Sequence, residues 1–206
     1  MTNRTLAVVT AGLSQPSATR LLADRLAAAT ERASRDLGVT LDVTIIELRD
    51  HAHDLTDNLL TGFPSPALGA AIDTVVRADG LIAVTPIFTG SYSGLFKTFF
   101  DVLGKDALVG KPVLIAATAG TARHSLALDH ALRPMFAYLR ALVVPTGVFA
   151  AAEDWGTGDG ASSRGLADRI DRAGGELSAL IAAREQPAPA DPFDNPTPFD
   201  QLLSGG

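Results

Sequence analysis

The chain of 206 residues contains no cysteine. This absence excludes disulfides, thiolate zinc sites, cysteine-ligated iron–sulfur clusters and a catalytic thiol among the residues of this chain. Any redox chemistry therefore has to come from a bound cofactor. Aromatic residues are scarce as well, because they make up 6% of a sequence that is 47% hydrophobic. We therefore expect a core built from Ala, Val, Leu and Ile rather than from stacked rings.

The sequence also lacks an excess of positive charge and long hydrophobic runs. Its formal net charge is −6, and no basic stripe is interleaved with aromatic residues, so nucleic acid is not an expected partner. No run approaches the ~20 apolar residues of a membrane span, and Met1–Thr5 leads into a strand without the apolar stretch of a signal peptide. We expect a cytoplasmic protein with no membrane partner. His51 and His53 have no third ligand nearby in sequence, so no metal site is expected.

Short apolar runs typical of buried strands alternate with segments of helical spacing. The runs are Leu6–Thr10, Leu41–Leu48, Gly80–Thr85, Val113–Thr118 and Val143–Phe149. This alternation favours a parallel sheet with right-handed crossovers and helices on both faces. We predict an α/β fold with a five-stranded parallel sheet in the flavodoxin-like arrangement, in which ligands bind beyond the carboxyl ends of the strands.

A single domain over residues 1–185 is expected to account for most of the chain. The glycine-rich connection Glu153–Gly160 carries no phosphate-loop spacing and is typical of a mobile surface loop. Beyond it, prolines are frequent and Pro-Phe-Asp occurs twice, which predicts a proline-rich C-terminal tail over residues 186–206. Disorder of this tail and docking through its large apolar residues both stay open. Those residues are Phe193, Phe199, Leu202 and Leu203.

The loop after the first strand suits an anionic phosphate. Gly12 relaxes the turn, and Ser14, Ser17 and Thr19 place hydroxyl groups around the start of a helix. Unpaired backbone N–H groups and the helix dipole favour an anion there without any lysine. Alternatively, Ser17 and Thr19 only cap the helix.

The loop after the third strand suits a planar heterocycle such as a flavin ring. Residues 86–97 form a hydroxyl-rich turn that leads into a helix, and Gly90 allows a flat ligand to approach the main chain. Phe88 would supply an apolar wall, whereas Tyr92 is either part of a hydrogen-bonding rim or an ordinary, partly buried aromatic residue. The loop after the fourth strand, Thr118–His124, adds small residues, free backbone donors, one cation and one imidazole.

These three segments resemble the NADPH-dependent FMN reductase family. The resemblance rests on residues 12–19, Thr85–Lys97 and Thr118–Pro134, and it covers most of residues 5–150. It is strongest to reductases of two-component flavin monooxygenase systems, in particular to the subgroup paired with luciferase-like monooxygenases. In that family the first loop holds the flavin phosphate, and the second and third loops flank the isoalloxazine ring.

The resemblance implies an FMN site at matching positions of this chain. The implied cofactor-binding residues are Ser14, Ser17, Ala18 and Thr19 for the phosphate, Pro86, Ile87, Phe88, Gly90, Ser91 and Tyr92 for the borders of the ring, and Ala119, Gly120 and Thr121 for its edge. Two positions depart from the family pattern. The family often has Tyr at position 88 and Gly-Gly at positions 119–120, so the ring is expected to sit slightly differently.

The resemblance also implies an activity: binding of FMN, oxidation of NADPH or NADH, and transfer of reduced FMN to a partner monooxygenase. Because the hydride is transferred on the flavin, no catalytic side chain is expected. Arg123 is the candidate for the phosphates of the nicotinamide nucleotide, with a surface salt bridge as the alternative. A homodimer or homotetramer is implied. Tyr92 matches a tyrosine that two-component members carry in a π-helical turn at the subunit interface, where it is linked to flavin transfer.

Two other functions stay open. A reductase that retains FMN would act on quinones, azo dyes or metal oxyanions, and a flavodoxin-like electron carrier would hold FMN without oxidising NAD(P)H. The small number of aromatic residues in the loops disfavours the carrier. A dinucleotide-type Rossmann site and a serine hydrolase are also disfavoured, because neither Gly-x-Gly-x-x-Gly after the first strand nor a Gly-x-Ser-x-Gly turn occurs.

Overall fold

A computed structural model describes residues 2–155 and 161–184 of the protein. Seven strands of this part form one sheet: β1 Thr2–Thr10, β2 Val39–Glu47, β3 Gly80–Phe88, β4 Ser91–Tyr92, β5 Pro112–Ala119, β6 Leu142–Val143 and β7 Val148–Ala151. Their order is β2-β1-β3-β5-β6, with β4 paired to β3 and β7 paired to β5. Every pairing is parallel except that of β3 with β4. The flavodoxin-like α/β fold is confirmed.

Helices cover both faces of the sheet. They are α1 Ala18–Asp36, α2 Ala52–Thr61, α3 Pro66–Arg77, α4 Gly94–Asp101, α5 Arg133–Tyr138 and α6 Ala161–Ala183. Short 3₁₀ helices occupy Leu48–His51, Ala122–His124 and Ala152–Trp155, and a π-helical turn spans Leu128–Leu132. The α1 and α6 helices pack on one face, and α2 to α5 pack on the other.

The sheet has seven strands rather than the five predicted, for two local reasons. The predicted fifth strand is divided into β6 and β7, which pair with opposite ends of β5. Pro145 lies between them and has no N–H to donate to a ladder. In addition, Thr89 and Gly90 adopt positive φ angles of 50° and 81°. This tight turn reverses the chain after β3 and creates the two-residue antiparallel strand β4.

The two faces of the sheet are filled by different kinds of side chain. Alternate residues of β1 point to opposite sides, so that Val8 packs on the α1 and α6 face and Val9 on the other. The α1 and α6 face is aliphatic, as expected. The other face contains a cluster of contacting rings, with centroids 4.8 to 6.3 Å apart, formed by Phe96, Phe99, Phe100 and Phe136. The expectation of a core without packed rings is therefore wrong for this face.

The predicted tail over residues 186–206 lies outside the described residues, as do residues 156–160 of the glycine-rich connection. Among the described helices, no single one is long and apolar enough to cross a membrane. Leu48–Thr61 and Pro66–Arg77 pass this length and composition test only as a pair bent by 90°. Both members bury apolar side chains, such as Leu55 and Val75, against the sheet.

A buried lysine lies at the amino end of β5, far along the strand from the predicted ligand loops. The side chain of Lys111 is 2% exposed. Its ammonium group donates hydrogen bonds to the carbonyl oxygens of Val76, at 3.2 Å, and Ala78, which terminate α3. Arg184 donates to the neighbouring Asp79 carbonyl at 3.0 Å. Burial is the main cause that lowers the pKa of Lys111 to about 8; the charge of Arg184 adds to it, and Asp79 opposes it.

This lysine should make the stability of the protein depend on pH. In the unfolded chain the lysine has its ordinary pKa of 10.5, so between pH 8 and 10.5 the unfolded state binds more protons than the folded state. Stability then rises with pH. Relative to Lys111→Met, the wild-type protein should gain about 2 kcal/mol in its free energy of unfolding between pH 7.5 and 9.5. Urea unfolding at both pH values measures this gain.

Lys105→Met, which removes an exposed lysine, is the control for the titration of Lys111. This variant should keep the pH dependence of the wild-type protein. An equal difference in stability between wild type and Lys111→Met at the two pH values would contradict the prediction.

Candidate active site

A cavity of about 460 Å³ opens at the carboxyl ends of the strands, which is a usual size for a small-molecule site. It lies between the loops that follow β1, β3, β5 and β7. The lining residues are Leu13, Ser14, Ala18, Thr19, Pro86, Ile87, Phe88, Thr118, Ala119, Gly120, Ala152 and Trp155. None of them carries a formal charge. The three loops that the sequence singled out therefore meet at one cavity, and a fourth loop joins them.

The first loop turns tightly into α1. Ser17 is the N-cap, and its hydroxyl oxygen accepts a hydrogen bond from the Arg20 N–H at 3.2 Å. A Cβ atom on Gly12 would lie 2.1 Å from that hydroxyl oxygen, so any larger residue there would displace the Ser17 hydroxyl group from its cap. The first turn of α1 contains no acidic residue, which leaves the positive end of the helix dipole uncompensated there. Capping by Ser17 is thus confirmed, and it is compatible with an anion at the same helix end.

Thr19 does not cap the helix. Its side chain is buried, and its hydroxyl group shares a hydrogen bond of 2.8 Å with that of Thr118. This contact joins the first loop to the end of β5 across 99 positions of the chain. Thr19 therefore holds two walls of the cavity together, in addition to lining it.

The second loop contributes Pro86, Ile87 and the exposed ring of Phe88 to the cavity. The Thr85 hydroxyl group donates to the Pro86 carbonyl oxygen at 2.9 Å and accepts from the Ser93 N–H at 3.0 Å, which fixes the start of this loop. Gly90, Ser91 and Tyr92 belong to the β3–β4 hairpin and are not among the lining residues. Their contact with a flavin stays a prediction.

The assignment of Tyr92 to a π-helical turn is wrong. Tyr92 lies in strand β4, opposite Ile87, and its ring packs 6.0 Å from that of Phe96. The π-helical turn of the described chain is Leu128–Leu132, which follows the third loop. The link between Tyr92 and flavin transfer depended on that assignment, and it is withdrawn.

The third loop places Ala119 and Gly120 at the cavity, while Thr121 starts a 3₁₀ helix. The Thr121 hydroxyl oxygen accepts a hydrogen bond from the Arg123 N–H at 3.2 Å. The Arg123 side chain is exposed and makes no ion pair with any carboxylate in residues 2–155 and 161–184. The surface salt bridge considered for it is therefore not found in that part of the chain.

The fourth loop contains a functional candidate that the sequence reasoning missed. Trp155, the only tryptophan of the chain, ends the 3₁₀ helix after β7 and lines the cavity. The guanidinium carbon of Arg25 lies 5.0 Å from the centre of its ring, a cation–π distance. The position of Trp155 in the sequence could have indicated this role, because its loop also follows a strand at the carboxyl edge of the sheet.

Comparison with known proteins identifies the family of the chain. Residues 4–156 match the NADPH-dependent FMN reductase family. The NADH-dependent FMN reductase SfnE of Pseudomonas putida is 39% identical over an alignment of 171 positions, which covers 77% of this chain and 91% of that protein. The FMN reductase (NADPH) of Pseudomonas aeruginosa is 40% identical over 149 residues, 71% of this chain and 76% of that protein.

A solved structure shows the same likeness in three dimensions. The X-ray structure of an oxidoreductase from Corynebacterium diphtheriae superposes with a TM-score of 0.86 at 49% identity, covering 90% of this chain and all of that one. The family match spans all four strands from which the cavity loops arise, and two relatives near 40% identity share most of their length with the chain. The chain therefore belongs to the NADPH-dependent FMN reductase family.

Proposed function

We propose that this FMN reductase binds its flavin exchangeably and supplies reduced FMN to a flavin-dependent monooxygenase of the luciferase-like type. The reductase activity with NADPH or NADH follows from family membership. Release of the flavin is supported by one observation above all: none of the residues that line the cavity carries a charge to hold a phosphate dianion. Hydroxyl groups and backbone N–H groups bind an anion less tightly than a guanidinium pair does.

The residues of the cavity fit FMN. Ser14, Ser17, Ala18 and Thr19 would receive the phosphate at the amino end of α1, where Gly12 leaves room for the Ser17 hydroxyl group. Pro86, Ile87 and Phe88 would border the ring, and Ala119, Gly120 and Thr121 would face its edge. Gly120 is exposed directly after β5 and has no side chain, so its main chain would approach the pyrimidine edge.

FMN supplies the chemistry, since it accepts a hydride from the nicotinamide. The protein would contribute position, because the cavity residues at the carboxyl edge of the sheet would hold the ring where the nicotinamide can reach it. No side chain that lines the cavity is an acid or a base. Arg123 is proposed to bind the phosphates of NADPH or NADH from the rim.

Arg123→Gln tests this part of the proposal. The variant should raise the KM for NADPH about five-fold, because one charge-assisted hydrogen bond at an exposed site contributes about 1 kcal/mol. Its dissociation constant for FMN should not change. A KM equal to that of the wild-type protein would remove Arg123 from the nucleotide site.

The main experiment measures NADPH and NADH oxidation by purified protein with and without added FMN, after its flavin content has been recorded. Exchangeable flavin predicts turnover that requires added FMN and saturates with it. Turnover on retained flavin with quinone or azo-dye acceptors would instead identify the alternative reductase. Bound FMN without any NAD(P)H oxidation would identify an electron carrier.

Trp155 offers a direct test of where FMN binds. Because it is the only tryptophan and lines the cavity, FMN binding should quench most of the tryptophan fluorescence. Trp155→Leu should abolish this signal and weaken FMN binding about three- to ten-fold, since one aromatic contact contributes roughly 0.5–1.5 kcal/mol. Flavin fluorescence measures binding independently in the variant. Unquenched Trp155 in the presence of saturating FMN would place the flavin elsewhere.

A homodimer or homotetramer is part of the same proposal. Leu60 and Tyr138, which are 81% and 87% exposed, are apolar side chains that a second copy of the chain would cover. Light scattering on the purified protein would show the assembly, and a monomer at micromolar concentration would contradict it.

A further inference from the structure

A second hollow, of about 300 Å³, adjoins the flavin cavity on the outer side of the first loop. The loop contributes Ser14 and Ser17 to it. Four charged side chains complete it: Arg20 and Asp24 from α1, Glu47 at the end of β2, and Arg49 from the following 3₁₀ helix. The flavin cavity has no charged lining residue, whereas the hollow on the other side of the phosphate loop has four.

Carboxylates bind both guanidinium groups in this hollow. The Arg20 Nε atom lies 2.8 Å from Asp24 Oδ1, and its Nη1 atom lies 2.5 Å from Glu47 Oε1. The second oxygen of Glu47 lies 3.0 Å from Nη2 of Arg49. Glu47 therefore bridges the two arginines. Chiefly through the hydrogen bond to Asp24, and with partial burial opposing, these contacts raise the pKa of Arg20.

The bridge is shielded better than an ordinary surface ion pair. The side chains of Glu47 and Arg49 are 20% and 19% exposed, whereas Asp24 is 45% exposed. Water and salt screen partly buried charges less than exposed ones. The charge of Glu47 is therefore felt more strongly in the hollow than that of Asp24.

Arg49 also contacts the phosphate loop itself. Its Nη1 atom donates to the Ser14 carbonyl oxygen at 3.4 Å. With its amide oxygen towards Arg49, the Gln15 side chain accepts from the same atom at 2.9 Å. The guanidinium group of Arg49 thus contacts the backbone of the loop and forms an ion pair with Glu47 at the same time.

We infer that Glu47 sets the affinity of the protein for the flavin phosphate by neutralising Arg20 and Arg49 behind the phosphate loop. A phosphate dianion at Ser14 and Ser17 would meet the two guanidinium charges of the adjoining hollow offset by the charges of Asp24 and Glu47. Asp50, which is 67% exposed and lies 3.6 Å from Nε of Arg49, adds a third carboxylate that water screens more strongly. The loop then binds the phosphate through neutral donors only, which keeps the flavin exchangeable. This inference rests on the proposed release of FMN, because a reductase that retains its flavin does not need a residue that lowers its affinity for the phosphate.

Glu47→Gln tests the inference, since it keeps the size and a hydrogen-bond acceptor but removes one negative charge. FMN is titrated into flavin-free protein at 20 and 200 mM salt, and flavin fluorescence gives the dissociation constant. Riboflavin, which lacks the phosphate, is titrated in parallel. At low salt the dissociation constant for FMN should fall about ten-fold in the variant, the gain should shrink at high salt, and riboflavin binding should not change.

Two further variants control for fold and charge. Asp24→Asn should tighten FMN binding in the same direction but less, because Asp24 is more exposed and pairs only with Arg20 in the hollow. Asp171→Asn removes a carboxylate from an exposed pair with Arg32, at 2.8 Å, between α1 and α6. It should leave FMN binding within two-fold of the wild-type value.

Two outcomes would overturn the inference: an unchanged FMN dissociation constant in Glu47→Gln, or an equal change for FMN and riboflavin. The proposed function fails separately, if the wild-type protein turns over on tightly retained flavin. A gain in Glu47→Gln that is restricted to FMN would still identify Glu47 as the residue that limits phosphate affinity.

Discussion

Gly12→Ala should bind FMN about 10- to 100-fold more weakly than the wild-type protein. The added Cβ atom would lie 2.1 Å from Ser17 Oγ and 3.1 Å from the Thr19 Cβ atom. The Ser17 hydroxyl group would have to rotate away from the Arg20 N–H, which loses a helix cap of roughly 1 kcal/mol. Thr19 would have to move as well, and it is tied to Thr118 by their shared hydrogen bond. Titration with FMN, followed by flavin fluorescence, measures the loss.

Gly69→Ala is the matched control for Gly12→Ala. It makes the same substitution in α3, where the nearest atom to the new Cβ, Pro64 Cγ, lies at an ordinary contact distance of 3.9 Å. It should leave FMN affinity unchanged and stabilise the helix by up to about 1 kcal/mol. Wild-type affinity in Gly12→Ala would show that the flavin phosphate does not bind at this loop.

The sheet and three of the four loops that line the cavity could be predicted from the sequence because buried parallel strands are short, continuous apolar runs. Gly80–Thr85 and Val113–Thr118 have no polar alternation, and the loop that follows such a strand lies at the ligand edge of the sheet. The polar contacts between the loops could not be predicted in this way. Thr19 meets Thr118, and Glu47 meets Arg20, only because the fold brings distant segments together.

The errors have equally local causes. A tight turn with Thr89 at positive φ is unusual for a β-branched residue, so a hairpin after β3 was not expected from composition. That hairpin, and not a π-helical turn, determines the position of Tyr92. Low aromatic content likewise predicts how many rings there are but not where they pack. Four of the nine phenylalanines contact one another on a single face of the sheet.

That ring cluster supports the second large prediction: Phe96→Ala should destabilise the protein by about 3–5 kcal/mol. Phe96 is fully buried, and its ring contacts those of Tyr92, Phe100 and Phe136. Alanine would leave a cavity where α4 packs against the sheet. The neighbouring rings of Phe100 and Phe136 are fixed by their own backbone, so they cannot move far enough to fill it. The free energy of unfolding in urea measures the effect.

Phe63→Ala is the control for Phe96→Ala, because it makes the same substitution at an exposed position. Phe63 is exposed after α2, so its removal should change stability by less than about 0.5 kcal/mol. Ser93 is the N-cap of α4, and its hydroxyl oxygen accepts a hydrogen bond from the Phe96 N–H at 3.2 Å. Helix α4 therefore starts close to the loop that follows β3. Alanine at position 96 keeps this N–H, but it removes the ring contacts that hold α4 against the sheet, and a displaced α4 would move the loop that precedes it. Phe96→Ala should therefore weaken FMN binding as well as folding. Equal losses of stability in the two variants would mean that the ring cluster does not hold α4 in place.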